Sequence, residues 1–260
     1  MSEKKKHSGF EKIRKGSASM SAQISRTARR LSTVIAPQLT KLDPLPCLQT
    51  ITRVSIKVTD IKKIHHAMEN YILHNMTNFD PIGLEINGDG KSKMILRAEL
   101  SAEELVLLEG QKRVTSIIFA DIEDEDFTVA KIRHPISGIK MYEIVDLAHN
   151  GNWQIFSSTD DTGRCQIDSM TNCFRQLISM CGLSYVPNWW VVRSQANYLG
   201  QIEAQHSIFK ENMMIVDWNL ETENEIRILM LCFGLVQMIR ERFPQMMTII
   251  KEYRVKKAAT

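Results

Sequence analysis

The chain has 260 residues, of which 43% are apolar and 24% charged, so it can bury one large hydrophobic core or two smaller ones. Its longest apolar run, Ile228 to Val236, has nine residues, well short of the roughly 20 that a membrane-spanning helix needs, which predicts no transmembrane segment. No apolar run follows the Lys-rich start and the cysteines form no CxxC motif, so we expect a protein that is not secreted and stays in a reducing, intracellular compartment. The five cysteines are Cys47, Cys165, Cys173, Cys181 and Cys232.

Residues 1–46 are predicted to form a disordered basic arm. Residues 1–42 contain ten basic residues and two acidic ones, a net charge of about +8 on a chain whose total is +3, which leaves about −5 for residues 43–260. Such an arm binds polyanions by charge, either an anionic lipid surface or a nucleic-acid backbone. Ser32 follows Arg29-Arg30-Leu31 and is a candidate phosphorylation site, where a phosphate would remove almost two positive charges. The predicted polyanion-binding residues are Lys4, Lys5, Lys6, Lys12, Arg14, Lys15, Arg26, Arg29, Arg30 and Lys41.

Apolar periodicity predicts a globular α+β domain over residues 47–196. Thr52–Val58 alternates apolar and polar residues, which is typical of a strand with one buried face. The next apolar residues recur at three- and four-residue steps, which predicts an amphipathic helix from Ile61 to Met76 with Ile61, Ile64, Met68, Ile72 and Met76 on its apolar face. Asn87-Gly88 is a hairpin signal. Further strands are predicted at Ile82–Ile86, Met94–Leu100, Val114–Ala120, Phe127–Ile132, Met141–Val145, Trp153–Phe156 and Trp189–Val192, and helices at Ser101–Gly110 and Asp168–Met180.

From Leu199 onward the pattern predicts helix, ending with Thr222–Phe243 before a break at Pro244, so residues 197–260 are predicted to be a C-terminal helical region. The fold class predicted is α+β, mainly antiparallel sheet with packed helices, a disordered basic N-terminal arm and a helical C-terminal third.

Self-association into a homo-oligomer is predicted for the C-terminal helix. Residues 226–239 are apolar nearly all round, so the helix lies either in the core or under another subunit, and we favour an interface for part of its surface. Two adjacent strand tryptophans must point to opposite faces, so one is expected in the core and the other at the surface or in an interface. The predicted self-association residues are Leu231, Phe233, Leu235, Met238, Trp189 and Trp190.

The sequence predicts no catalytic residues, no metal site, no cofactor and no small-molecule substrate. It contains no GxSxG, P-loop or GxGxxG motif. His65, His66 and His74 lack the four-residue spacing that places two imidazoles on one helix face. The acidic run lacks the glycine and terminal Glu of a calcium loop, so it is expected to be a solvated turn or a docking turn for the basic arm of a neighbouring molecule. That run consists of Asp121, Glu123, Asp124, Glu125 and Asp126.

The order of elements resembles that of rhabdovirus matrix proteins, in which a disordered Lys-rich arm precedes a strand, an amphipathic helix, a twisted sheet and a late helix. Here these are residues 1–46, the strand at Thr52, the helix at Ile61, and a stretch around Phe174-Arg175, Gly182-Leu183 and Trp190-Val191. The resemblance implies a non-enzymatic viral protein that self-associates, coats the inner membrane face of the virion and binds the nucleocapsid, with the viral nucleoprotein as a partner. No PPxY motif is present, and residues beyond 195 have no counterpart in the short members, as would suit a plant-infecting relative.

Two alternatives stay open. The stretch Leu100–Asp121, the strand ending in Asp146 and the later Gly200 look similar to the sheet core and the Asp…Gly pattern of thirty-kilodalton plant-virus movement proteins, which implies binding of single-stranded nucleic acid. A cellular scaffold with a polyanion-binding tail would have the same charge pattern. The arm has Phe10 as its only aromatic residue, so base stacking by the arm is not expected. The location implied is the host cytoplasm or nucleus.

Overall fold

The structure, a computed structural model, describes residues 41–88, 94–120, 127–147, 152–160, 162–170, 188–195, 197–207 and 210–259. Twelve antiparallel strands form a closed barrel in which each strand pairs with its neighbours in sequence, and β1 closes the barrel by pairing with β12. The strands are β1 (Arg53–Val58), β2 (Ile82–Gly88), β3 (Met94–Leu100), β4 (Leu105–Glu109), β5 (Lys112–Phe119), β6 (Thr128–Arg133), β7 (Lys140–Asp146), β8 (Asn152–Ser157), β9 (Gly163–Ser169), β10 (Trp189–Ser194), β11 (Asn197–Ser207) and β12 (Lys210–Trp218).

Four helices accompany the barrel in the described part of the chain. They are α1 (Pro46–Gln49), α2 (Ile61–His74), α3 (Asn224–Arg242) and α4 (Pro244–Ala258). α2 connects β1 to β2, whereas α3 and α4 follow the last strand. Pro244 therefore begins a second helix and does not end the helical region. Proline is tolerated at the first position of a helix because the N–H that it lacks would have no partner within the helix.

The core lies inside the barrel and surrounds α3. Strand residues alternate between buried and more exposed, as in β1, where Val54, Ile56 and Val58 are buried. A barrel of about eight strands is filled by its own side chains, and a wider barrel leaves a lumen that something else must occupy. Here that occupant is α3, whose residues 226–239 are all buried. Because a helix inside a barrel meets side chains on every side, its sequence must be apolar all round.

Specific contacts fix α3 in the lumen. The Phe233 ring makes edge-to-face contacts with Trp153 of β8 at 5.5 Å and Trp190 of β10 at 5.9 Å between ring centroids. Gly234, about 100° further round the helix, faces β1 and β12, where an added Cβ would lie 3.0 Å from Val216 and 3.2 Å from Ile56. The aromatic side therefore fills space while the glycine side allows close approach of the helix to the wall.

The predicted α+β class is wrong, because the structure is a closed antiparallel barrel with one enclosed helix. The Ser101–Gly110 helix is also wrong: β4 pairs with both β3 and β5, and Gly110, at φ 61°, belongs to the β4–β5 hairpin. Residues 163–169, whose last two residues were predicted to begin a helix, form β9, and the remainder of that prediction lies mostly outside the described residues. Hydrogen bonds to neighbouring strands and burial of inward-facing side chains stabilise these segments as strands more than their local helix preference would stabilise a helix.

The boundary of a C-terminal helical region at residue 197 is wrong for the same reason. β11 and β12 lie within that range, and the barrel could not close without them. The strand at Arg53–Val58, the helix beginning at Ile61 and the antiparallel pairing of β2 with β3 are confirmed.

Candidate functional site

The lumen of the barrel offers no ligand site among the described residues, because α3 occupies it and polar contacts close the end at which α3 begins. The Arg227 guanidinium is buried there and donates to the backbone oxygens of Thr222 (2.8 Å), Leu220 (2.5 Å) and Leu48. The Asn224 side chain bonds both the N–H and the C=O of Leu45 at 2.8 Å, which ties the chain before β1 to the start of α3. This end of the molecule is a structural closure.

The other end of α3 is polar and contains three half-buried charged residues, Arg240, Glu241 and Arg242. The Arg240 guanidinium lies 4.7 Å from the centroid of the Trp153 ring, a cation–π contact. Burial raises the pKa of the Glu241 carboxyl, and a hydrogen bond with Asn188 partly offsets this rise. Burial lowers the pKa of the Arg240 guanidinium, and the nearby negative charge of Asp146 partly offsets this fall. These groups stabilise each other and hold no nucleophile, so they make a polar cap for the helix.

The surface of α2 is the first part of the candidate site. One flank of α2 packs on the barrel through Ile64 and Ala67, which are buried. The helix ends at Asn75, which adopts the left-handed conformation (φ 54°), and the chain then turns back along the helix. Between α2 and residues 76–80 lies an open cleft of about 500 Å³. Its polar lining consists of Lys62, Lys63, His66, Asn70, Asn78 and Asp80.

The second part of the candidate site is α4, which lies beside α2 in the same direction. The Tyr71 hydroxyl donates to Glu252 at 2.5 Å, and four residues further along both helices the Lys256 ammonium donates to the Asn75 carbonyl at 2.8 Å. The two helices therefore end together. α4 contains four basic residues and one acidic residue, although residues 43–260 as a whole sum to about −5.

Large apolar side chains are exposed where these two helices end. Ile72 is 75% exposed, Leu73 64% and Met76 50%, and Val255 in the last turn of α4 is 61% exposed. We call these four residues the helix-end face. Sequence periodicity predicted Ile72 and Met76 on the buried face of α2, and that part of the prediction is wrong, because the contacts of α2 with the body end near Tyr71. The apolar stripe of the helix continues beyond the surface that covers it.

Basic residues lie at both ends of these helices, with Lys62 and Lys63 in the first turn of α2 and Lys256 and Lys257 in the last turn of α4. Lys62 has no ion-pair partner within the described ranges, and Lys63 lies 3.7 Å from Asp60 while donating to the Pro81 carbonyl. Lys256 donates to the carbonyl and side-chain oxygens of Asn75 at 2.8 and 3.1 Å. Lys257 is paired with Glu103 at 2.5 Å, which lowers the pKa of that carboxyl through the hydrogen bond. The exposed apolar Val255 is thus followed by two lysines, Lys256 and Lys257, in the last turn of α4.

The structure separates the residues predicted for self-association. Leu231, Phe233, Leu235 and Met238 are fully buried inside the barrel, so they cannot form an interface between folded copies, and that interpretation of α3 is wrong. The cause is the wide lumen, which needs an apolar helix. The expectation that the two tryptophans face opposite ways is confirmed, because Trp190 is in the core and Trp189 is 38% exposed. The burial of Trp190 makes its assignment to self-association wrong, and a role of Trp189 in self-association stays a prediction.

Several predicted site residues lie outside the described residues. These are the arm residues Lys4, Lys5, Lys6, Lys12, Arg14, Lys15, Arg26, Arg29 and Arg30, the candidate phosphorylation site Ser32, and the acidic run Asp121, Glu123, Asp124, Glu125 and Asp126. Lys41 is described and is exposed. Asp146 and Gly200, which carried the likeness to movement proteins, lie on β7 and β11 with three strands between them.

In the part of the chain that the structure describes, no group of three or more His, Cys, Asp or Glu residues is arranged to hold a metal ion. None of the helices in that part combines the length and the apolar character that crossing a bilayer requires. Comparison of the chain with protein-family models, curated proteins and solved structures gave no match.

Proposed function

We propose that the chain is a non-enzymatic assembly protein that binds polyanions through its basic arm, with the filled barrel as a rigid carrier. The observation that carries the proposal is the separation of the positive charge from the hydrophobic core. Residues 1–42 have a net charge of about +8, whereas the lumen of the barrel is occupied by the chain's own helix α3. A barrel filled in this way uses its outer surface and its attached segments for binding.

The matrix-type role is the specific form of this proposal that we favour. It requires contact with an anionic surface on one side and with a nucleic-acid-containing particle on the other, and the positive charge of the basic arm suits either contact. The corrected fold removes the α+β basis of the resemblance, so the proposal rests on the arm and the filled barrel. Self-association, if it accompanies this role, uses surfaces other than the enclosed residues of α3.

The proposal is tested by changing the arm in the full chain. Replacing Lys4, Lys5, Lys6, Arg26, Arg29 and Arg30 by Gln removes six positive charges from it. For single-stranded RNA each phosphate contact contributes about −0.7 to the slope of log affinity against log salt concentration, so the slope should become less steep by about 4. Affinity for phosphatidylserine vesicles at low salt should fall as well, because each basic residue near such a surface contributes about 1 kcal/mol.

A matched control removes charge from the barrel instead. Replacing Arg97, Lys112 and Lys140 by Gln changes three ion-paired surface residues on β3, β5 and β7 and should leave the salt slope nearly unchanged. An arm variant with the parent's affinity and slope would overturn the proposal. Binding to RNA with no binding to vesicles would favour the movement-protein alternative over the matrix-type role.

A further inference from the structure

The cleft between α2 and residues 76–80 has the composition of a small-ligand site. Its volume of about 500 Å³ lies within the range of about 300–1,000 Å³ that such sites occupy. Its apolar lining consists of Ala67, Met76 and Phe79, and polar side chains surround these three residues. A concave site that combines apolar lining with a few convergent polar groups is the usual form of a binding site.

Five of the polar side chains that line the cleft are free to contact a ligand. Within the ranges that the structure describes, none of the five makes a hydrogen bond or an ion pair through its side chain, so a ligand can bind them without breaking contacts inside the protein. The five side chains are those of Lys62, His66, Asn70, Asn78 and Asp80.

These side chains lie on two walls of the cleft. Lys62 and His66 are four residues apart on α2, so their nitrogen atoms project from one face of the helix. Asn78 and Asp80 lie on the returning segment, on either side of Phe79 in sequence. One wall therefore offers hydrogen-bond donors for an anion, and the other offers an aromatic ring between an amide and a carboxylate.

The charges in the cleft are nearly balanced. Lys63 lies 3.7 Å from Asp60 and also donates to the Pro81 carbonyl, while Asp80 opposes the charge of Lys62. A cleft of this kind attracts a polyanion only weakly over distance, whereas residues 1–42 carry about +8. We therefore expect the arm to provide the attraction and the cleft to provide selectivity.

A nucleotide matches both walls of the cleft. Lysine and histidine nitrogens donate to phosphate oxygens, which is the contact that positions a nucleic acid. Asparagine pairs with adenine and a carboxylate accepts from the amino group of cytosine, which are contacts that distinguish bases. Phe79 is half-buried and gives a base a ring on which to stack. A lipid headgroup would use the lysine wall but would leave the ring and the opposite wall without a partner.

We propose that the cleft binds one nucleotide of a single-stranded nucleic acid that the arm attracts. Lys62 and His66 bind its phosphate, its base stacks on Phe79, and Asn78 and Asp80 bond the edge of the base. Because adenine and cytosine present an amino group and uracil does not, the cleft favours the first two. The inference rests on the proposed function, since it states which polyanion the arm brings to the body.

The first test uses the full chain and short homopolymers of rA, rC and rU in fluorescence anisotropy. The parent should bind the rA or the rC strand about tenfold more tightly than the rU strand. The variant Asn78→Ala/Asp80→Ala should lower this ratio to about one without changing the salt slope, because the arm is intact. Both side chains are exposed and unbonded within the described ranges, so the urea midpoint of unfolding should equal that of the parent. The matched control Asp43→Ala/Asn152→Ala changes two exposed residues outside the cleft and should keep the parent's ratio.

The second test changes the phosphate wall. Lys62→Gln/His66→Gln should weaken binding of all three strands by a similar factor, keep the ratio between them, and make the salt slope less steep by about 0.7. The matched control is His65→Gln/Lys251→Gln, in which the histidine is the neighbour of His66 on α2 but does not line the cleft. This control should keep the parent's base preference and bind more tightly than the cleft variant.

Three results would overturn the inference and leave the arm proposal standing. The first is a parent with equal affinity for the three strands. The second is a variant Asn78→Ala/Asp80→Ala that keeps the parent's base preference. The third is loss of binding to phosphatidylserine vesicles by Lys62→Gln/His66→Gln with parent-like RNA binding, which would assign the cleft to a lipid headgroup. Failure of the arm proposal is separate and is measured by the salt slope of the arm variant.

Discussion

Replacing Phe233 by Ala tests whether α3 belongs to the core of a single chain. Phe233 is fully buried and contacts the rings of Trp153 and Trp190. Truncating a buried Phe to Ala costs about 3–5 kcal/mol, and each edge-to-face ring contact contributes about 0.5–1.5 kcal/mol. With two such contacts we expect a loss near the upper end, about 5 kcal/mol. Since single domains are stable by only about 5–15 kcal/mol, this is a large fraction of the total.

The assay is urea unfolding followed by tryptophan fluorescence, at two protein concentrations. With a slope of about 3 kcal/mol per molar urea, the midpoint should fall by roughly 1.5 M. Phe233→Leu keeps most of the apolar volume but loses the ring contacts, so it should cost about 1–2 kcal/mol. Leu220→Ala, at a site that is 65% exposed, should leave the midpoint almost unchanged.

Two results would refute the assignment of α3 to the core. One is a midpoint shift for Phe233→Ala no larger than that of Leu220→Ala. The other is a loss of stability that depends on protein concentration, because removing a contact between subunits changes stability through association. A shift independent of concentration is expected for a helix enclosed by its own barrel.

Two further predictions concern the buried polar and thiol groups. Arg227→Met should lower the free energy of unfolding by at least about 3 kcal/mol in the same urea assay, because it leaves three buried carbonyls unpaired and each costs about 1–3 kcal/mol. An Arg227→Lys variant as stable as the parent would contradict the role of the planar guanidinium. Burial raises the thiol pKa of Cys165 and Cys232 from 9.0 to about 12, so both should resist iodoacetamide in mildly alkaline buffer until urea unfolds the chain, as mapped by peptide mass. Because the raised pKa favours the neutral thiol in the folded state, the stability that the two neutral thiols contribute is complete below pH 9.0 and is lost as the pH rises towards about 12. Modification of either thiol in the native protein would contradict their burial.

Local patterns in the sequence predicted most of the wall of the barrel. The period-2 alternation around Val54, Ile56 and Val58 predicted β1 because each of those side chains points into one core. The same alternation is present in β11, where Ile202 and Ala204 are buried between Gln201, Glu203 and Gln205, but the helical character of the surrounding residues outweighed it. Strand formation there depends on pairing with β10 and β12, which no local pattern reports.

Closure of the barrel could not be predicted from local patterns. It depends on β1 pairing with β12, as in Val54 opposite Val216, and the two residues are far apart in sequence. The position of α3 follows from closure, because an apolar helix is compatible with a core and with an interface until the width of the barrel is known. The exposure of the helix-end face could not be predicted for a related reason. Periodicity places Ile72 on the apolar side of α2 but does not show where the covering surface ends.

The chain order of the enclosed helix has a consequence for synthesis. α3 follows all twelve strands, so the ribosome releases the whole wall before it releases the element that fills it. Until residues 224–242 emerge, the apolar inner faces of the strands have nothing to pack on and the ladder between β1 and β12 has no interior support. Folding must then wait for long-range contacts, which makes it slow and exposes aggregation-prone strands to chaperones. A nascent chain interrupted before α3 would have a complete set of strands but no core, and quality control in the cell would recognise it by its exposed apolar surface.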